Sequence, residues 1–196
     1  MKLNIVTPTS RFDFLETIYH SIKSTFKDEW KWYISIDKDN KNVLPILYPE
    51  MIILKSENKM FGRDGGSTGR NAAIDVIRDG LVMFLDDDTI MHPNFYKTYT
   101  NFINLYPWAV GFTMITAFPN NIPRIIPHPY ALNQLYTSCY IFKRDVIGDT
   151  RWDLSPCLND VNFYNKIWSQ YAQYIVHMTE IGAFYNYLRP PNEVMS

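Results

Sequence analysis

The stretch LVMFLDDDTI, residues 81–90, decides how the rest of the chain is read. Its first five residues are apolar at every position, which suits a strand covered on both faces rather than one wetted on alternate sides. Three aspartates follow directly. Side-by-side carboxylates raise one another's pKa unless a cation neutralises them. Asp86, Asp87 and Asp88 at the end of a buried strand therefore point to a hard divalent cation such as Mg2+, whose remaining positions phosphate oxygens can fill. A solvated acidic turn is the competing reading of the triplet alone, and its place after the apolar run favours the metal.

Working back from this strand, NAAIDVIRDG reads as a helix with Ala72, Ala73, Val76 and Ile77 on one face and Gly80 placed to stop it. Before it lies the glycine-rich loop FGRDGGSTGRN, residues 61–71, flanked by Arg63 and Arg70. Its amides and the following helix N-terminus could face an anion, although the glycine spacing fits neither a P-loop nor a dinucleotide fingerprint. Leu3–Pro8, Trp32–Asp37 and Met51–Lys55 read as further strands. A helix after the first of these carries Phe12, Leu15, Ile18, Tyr19, Ile22 and Phe26 at helical spacing, with Ser10 as its cap. This alternation predicts an α/β domain with a Rossmann-like, mostly parallel central sheet flanked by helices. Ligands of such sheets bind beyond the carboxyl ends of the strands. The loops Pro8–Ser10, Asp37–Asn40 and Asp86–Asp88 all emerge there.

The second half is less regular. WAVGFTMI, TSCYIF and YIVHM read as strands, and NDVNFYNKIWSQY as a helix capped by Asn159 or Asp160. AFPNNIPRIIPHPYALNQ, rich in Pro and Asn, reads as a long loop, and long loops in compact domains are often functional. RPPNEVMS reads as a tail or the start of a linker.

Composition excludes several classes. The 196 residues are 46% hydrophobic with a formal net charge of −1, enough for one core and without the basic stripe that nucleic acid requires. Two cysteines form neither a disulfide framework nor a zinc pattern. No apolar run is long enough to span a bilayer, and the N-terminus turns polar too soon for a signal peptide. The expectation is a soluble, cytoplasmic protein without a membrane span.

IVTPTSRFDFLETIYHSI, SIDKDN and STGRNAAIDVIRDGLVMFLDDDTIMHPNF together resemble the donor-binding half of the GT-A glycosyltransferases, especially family 2. LDDDT matches the family's Leu-Asp-x-Asp-Asp, with Asp86 and Asp88 as its DxD pair. YTSCYIFKRDVIGDTRWDLSPCLNDVNFYNKI resembles the family's acceptor-side stretch. The compact size and wording also resemble small glycosyltransferase domains of large algal DNA viruses. The resemblance implies a single GT-A domain over 1–196, with a nucleotide-sugar donor half at about 1–95 and an acceptor half at about 96–188. It implies a metal-dependent, inverting transfer from a nucleotide-diphospho-sugar, typically a UDP-sugar, to a carbohydrate or glycan acceptor. Thr7 and Asp37 or Asp39 would contact the nucleoside. Arg63, Arg70 and Asp87 would lie near the nucleotide. Asp86 would approach ribose and metal, and Asp88 would ligate Mn2+ or Mg2+, with His177 as a further ligand. Asp160 would take the proton from the acceptor hydroxyl.

Asn159 stands in place of the first acid of the family's Glu-Asp pair, Gly69 in place of Ala, and Thr89 in place of the acid after the DxD pair. Asp160 is also a natural helix cap. Trp152 and Tyr130 are equally suited to stacking on an acceptor sugar or to core packing. Two rival functions remain. A sugar-nucleotide pyrophosphorylase should carry a basic, glycine-rich signature after its first strand, which VTPTSRFDF lacks. A non-catalytic nucleotide- or carbohydrate-binding module would not need Asp160.

Overall fold

A computed structural model describes residues 1–40, 44, 46–57, 66–125, 136–154 and 159–189, without the side chains of residues 125 and 159. Among these residues nine strands form one sheet in the order β3-β2-β1-β4-β8-β6-β9-β5, with β7 paired to β6. The strands are β1 (Leu3–Thr9), β2 (Trp30–Asp37), β3 (Met51–Ser56), β4 (Leu81–Phe84), β5 (Ile90–Met91), β6 (Gly111–Ala117), β7 (Pro123–Ile125), β8 (Tyr140–Lys143) and β9 (Ile175–Phe184). β3, β2, β1 and β4 are mutually parallel, β8 runs against β4 and β6, and β9 is parallel to β6. The expected mostly parallel α/β sheet is what the chain forms.

The all-apolar β4 explains itself by burial. Leu81, Met83 and Leu85 pack with α1 (Leu15–Thr25) and α3 (Phe95–Leu105) on one face, while Val82 and Phe84 pack with α2 (Ser67–Val76) and α5 (Asn159–Tyr171) on the other. All five side chains are fully buried. A strand with both faces covered has no position to give to water, so its next polar residues fall beyond its end, at the sheet's carboxyl edge.

Several expectations shift. The first helix starts at Leu15 after a tight turn over Phe12–Phe14, and Ser10 does not cap it; the Ser10 amide donates to Asp87 instead. α2 begins at Ser67, inside the glycine-rich stretch, and buries Gly69, Arg70, Ala73 and Ile74 while Val76 is exposed. It ends at Val76, so Gly80 turns the chain into β4 rather than capping the helix. α3 had no counterpart in the sequence reading. Part of the Pro-rich segment is strand β7, with Pro123 at its first position, where a missing N–H is tolerated. A short turn of 3-10 helix over Thr137–Cys139 precedes β8, and α4 (Arg144–Ile147) follows it. No described helix is long and apolar enough to cross a membrane.

Gly69 is the position where this chain departs from alanine, and packing requires it. A Cβ there would lie 2.8 Å from Oγ of Ser35 and 3.1 Å from Cβ of Pro8. α2 therefore approaches β1 and β2 more closely than any side chain would allow.

Candidate active site

Each of the three aspartates that end β4 has a guanidinium partner. Asp86 Oδ1 accepts from Arg70 Nη2 at 2.6 Å, and its Oδ2 accepts from the Thr137 hydroxyl at 2.8 Å. Asp87 Oδ1 pairs with Arg11 through Nε at 3.0 Å and through Nη2, while its Oδ2 accepts from the Thr9 hydroxyl at 2.9 Å. Asp88 is 1% exposed; its Oδ2 accepts from Arg11 Nη2 at 2.9 Å and from Arg189 Nε. The electrostatic cost of adjacent carboxylates is met by Arg11, Arg70 and Arg189, reaching in from the end of β1, from α2 and from the segment after β9. Charge-assisted pairs of this kind are the stronger hydrogen bonds of a protein. The segment after β9 is also tied down by the Leu188 amide, which donates to the Asp88 carbonyl at 3.1 Å.

Asp160, in the first turn of α5, joins the same group. Burial pushes its carboxyl up to about 6; the nearby Arg70 charge and the Thr137 amide pull it down, and Asp86 pushes it further up. A carboxylate held mainly by capping amides would have a lowered pKa, so the environment of Asp160 is that of a half-buried, desolvated acid beside Asp86. A carboxyl poised near neutral pH suits proton abstraction. Arg70, 4% exposed, lies with its guanidinium 4.5 Å from the Trp152 ring and so faces both acids from a fixed position.

Other expected site residues fare differently. Thr7 is fully buried, and its hydroxyl accepts from Trp32 Nε1 at 2.9 Å. It lies within β1, two residues before the strand's end, and its side chain is enclosed by the core. Asp37 and Asp39 do lie at the carboxyl edge, where Asp37 Oδ1 accepts the Asp39 amide at 2.8 Å and Asp39 is exposed. His177 pairs in register with Thr113, and its Nδ1 shares a 2.8 Å hydrogen bond with the Thr113 hydroxyl. The Phe184–Ile90 pairing beside Asp88 is seven residues further along β9, which is irregular there and runs beside only Thr113 to Ala117 of β6, roughly 13 Å at strand rise. Among the described residues His177 belongs to no group of three His, Cys, Asp or Glu side chains that could hold an ion. Trp152 is 2% exposed and stacks on Phe163 at 4.7 Å, so it is core rather than a sugar platform. Arg63 and Tyr130 lie outside the described residues.

Oxygen donors of this kind suit Mn2+ or Mg2+, and Asp88 Oδ1 accepts from the Thr89 hydroxyl at 3.3 Å. Among the described residues, however, no three His, Cys, Asp or Glu side chains are grouped to hold an ion. The carboxylate identities fit a hard cation. Arg11 and Arg189 stand where it would meet Asp88 Oδ2. Sequence reasoning missed both arginines; the only local signal for Arg11 was its place just after the first strand.

No protein-family model matches the sequence, and no curated protein matches it. Solved structures match by shape. S. aureus TarS 1–349 superposes with a TM-score of 0.76 at 15% identity, over 94% of this chain and 60% of that one. The same fragment has been solved with UDP and with UDP-GlcNAc. The chain has the GT-A fold. The mannosyltransferase PcManGT from Pyrobaculum calidifontis, in complex with GDP-Man and Mn2+, matches with a TM-score of 0.66 at 11% identity, over 91% of this chain and 55% of that one. Glucosyl-3-phosphoglycerate synthase from Mycobacterium tuberculosis, in complex with Mn2+, UDP and glucosyl-3-phosphoglycerate, matches with 0.65 at 12%, over 98% and 74%. This GT-A chain spans about three fifths of the TarS fragment it matches.

Proposed function

We propose that this chain is a glycosyltransferase of GT-A fold that moves a sugar from a nucleotide-diphospho-sugar, in the first instance a UDP-sugar, to an acceptor hydroxyl on a glycan, with inversion. The observation that carries this reading is the convergence of Asp86 and Asp160 on Arg70 at the carboxyl end of β4. The nucleotide-sugars and nucleotides held by the fold's neighbours support the donor class.

The donor nucleoside lies over the ends of β1 and β2, near Asp37 and Asp39. Arg70 fixes Asp86, which faces the ribose. Asp160 holds the acceptor hydroxyl and takes its proton as the new glycosidic bond forms and the nucleoside diphosphate leaves. Asp88, with Asp86, would hold Mn2+ or Mg2+, which when bound draws charge from the departing diphosphate. Arg11 and Arg189 neutralise Asp88 in its absence. A non-catalytic binding module gains nothing from a carboxyl held near pKa 6 by burial, since that environment penalises the charged form.

A thermal-shift screen of UDP-, GDP- and dTDP-sugars with Mn2+ tests the reading, followed by an assay for nucleoside-diphosphate release with a mixed set of glycan acceptors. At least one UDP-sugar should raise the unfolding temperature and be turned over. A flat response to every nucleotide-sugar would overturn the assignment.

A further inference from the structure

Arg11, Arg70 and Arg189 each hold an aspartate at the sheet edge; Arg124 does not. It lies on β7, and no described carboxylate forms an ion pair with it. Its guanidinium carbon sits 5.2 Å from the Phe118 ring centroid, 5.4 Å from that of Tyr136 and 4.5 Å from that of Tyr185. The rings stabilise the cation without neutralising it. Its Nη2 donates to the Tyr136 hydroxyl at 3.2 Å, while its Nε is buried and has no hydrogen-bond partner among the described residues. A guanidinium fork with unused N–H groups matches a phosphate or carboxylate.

The topology places this cage beside the reacting acids. Tyr136 directly precedes Thr137, whose hydroxyl holds Asp86. Tyr185 directly follows Phe184, which pairs with Ile90 just past Asp88. Burial first, then Tyr136, Asp86 and Asp88, push the Tyr185 hydroxyl up to about 12, and the Arg124 charge pulls it down. In the sheet order, β6 and its partner β7 stand on the opposite side of β4 from β2. The cage therefore lies across the aspartates from Asp37 and Asp39, on the side left for an acceptor.

We infer that Arg124, walled by Phe118, Tyr136 and Tyr185, is an acceptor subsite for an oxyanion, so that the natural acceptor carries a phosphate ester or a carboxylate near the hydroxyl that reacts. This rests on the transferase reading and names its acceptor class. The oxyanion takes the free edge of the guanidinium, and the tyrosine rings flank the carbon skeleton attached to it.

Inorganic phosphate, titrated by calorimetry into UDP-saturated protein, tests the subsite. Wild type should bind phosphate, Arg124→Gln should weaken that binding about tenfold or more, and Arg124→Lys should weaken it less. UDP affinity should stay unchanged in both variants. Glycerol 3-phosphate and glucuronate should displace phosphate where glycerol and glucose do not, and the better competitor separates a phosphate-ester acceptor from a carboxylate one. Equal phosphate binding by wild type and Arg124→Gln, or none by wild type, overturns the subsite. A parallel fall in UDP affinity overturns it too, by moving Arg124 to the donor. Wild type that binds no UDP counts against the transferase reading alone, because phosphate titrated without nucleotide still decides whether Arg124 binds an anion.

Discussion

Thr137 touches both acids of the site: its hydroxyl donates to Asp86 Oδ2 at 2.8 Å, and its backbone amide steadies the Asp160 carboxyl. The two carboxyls are thereby held on one short turn before β8, with Arg70 facing both. If Asp160 is the base, Asp160→Asn removes the proton acceptor and leaves the Asp86–Arg70 pair in place. The expected outcome is a fall in kcat of about 10²–10⁴-fold with UDP affinity within a factor of about two. Calorimetry and a release assay on the same preparation check it. Unchanged turnover would remove Asp160 from the chemistry.

On the proposed metal site, a divalent ion would compete with Arg189 for Asp88. Arg189→Ala leaves the buried Asp88 carboxylate with Arg11 alone, which should cost about 1–3 kcal/mol in metal-free buffer. The same change should enlarge the Mn2+-induced rise in unfolding temperature, since the ion no longer has to displace that guanidinium. Asp88→Ala should abolish the rise. Thermal unfolding with Mn2+ and with chelator measures both, and an Arg189→Ala protein as indifferent to Mn2+ as Asp88→Ala would rule out this competition.

Thr7 serves the core. Thr7→Val keeps the shape but deprives the buried Trp32 indole N–H of its acceptor, a loss of about 1–3 kcal/mol by chemical denaturation. UDP affinity should not move. A drop in UDP affinity out of proportion to the lost stability would return Thr7 to the nucleoside site.

Gly69→Ala sets two effects against each other. Alanine favours a helix by about 1 kcal/mol over glycine. The added Cβ meets Ser35 at 2.8 Å and Pro8 at 3.1 Å, and overpacking of this kind costs about 1–3 kcal/mol. The clash should win, giving a less stable protein by denaturant melt, and Ser35→Gly in the same chain should recover most of the loss.

How far the sequence reached depended on distance along the chain. β4 was legible because burial on both faces leaves no room for a polar residue, and the acids after it were adjacent in sequence. α5 was legible from its spacing. α3 was overlooked because Phe95, Tyr99 and Phe102, its buried stripe, are interspersed with Asn, Thr and Lys of modest helix preference. The arginines that answer the aspartates lie 76 and 101 positions away for Arg11–Asp87 and Arg189–Asp88, and no local pattern encodes such a pairing. The bond from Trp32 that encloses Thr7 joins residues 25 positions apart, and nothing in the local sequence announced it. Asp160 was singled out only through the family resemblance; what marks it physically is burial beside Asp86, which appears only on folding.

That burial makes a pH prediction with a definite sign. The Asp160 carboxyl titrates at about 6 in the folded chain against an ordinary 3.8. Between those values the folded state keeps a proton that the unfolded state has released, so this group favours folding most below the lower value and loses that contribution as pH rises through the upper one. The gap of about two units corresponds to about 3 kcal/mol. Asp160→Asn has no such titration. Its stability relative to wild type should therefore climb by up to about that amount between about pH 4 and about pH 7, even as the variant loses transfer. In wild type, kcat/KM should fall about tenfold per unit once the pH drops below about 6. Denaturant melts of both proteins across this range, paired with the pH–rate profile, supply the test. A stability difference that stays flat from acid to neutral pH would mean that Asp160 is not the buried, proton-holding acid on which this mechanism depends.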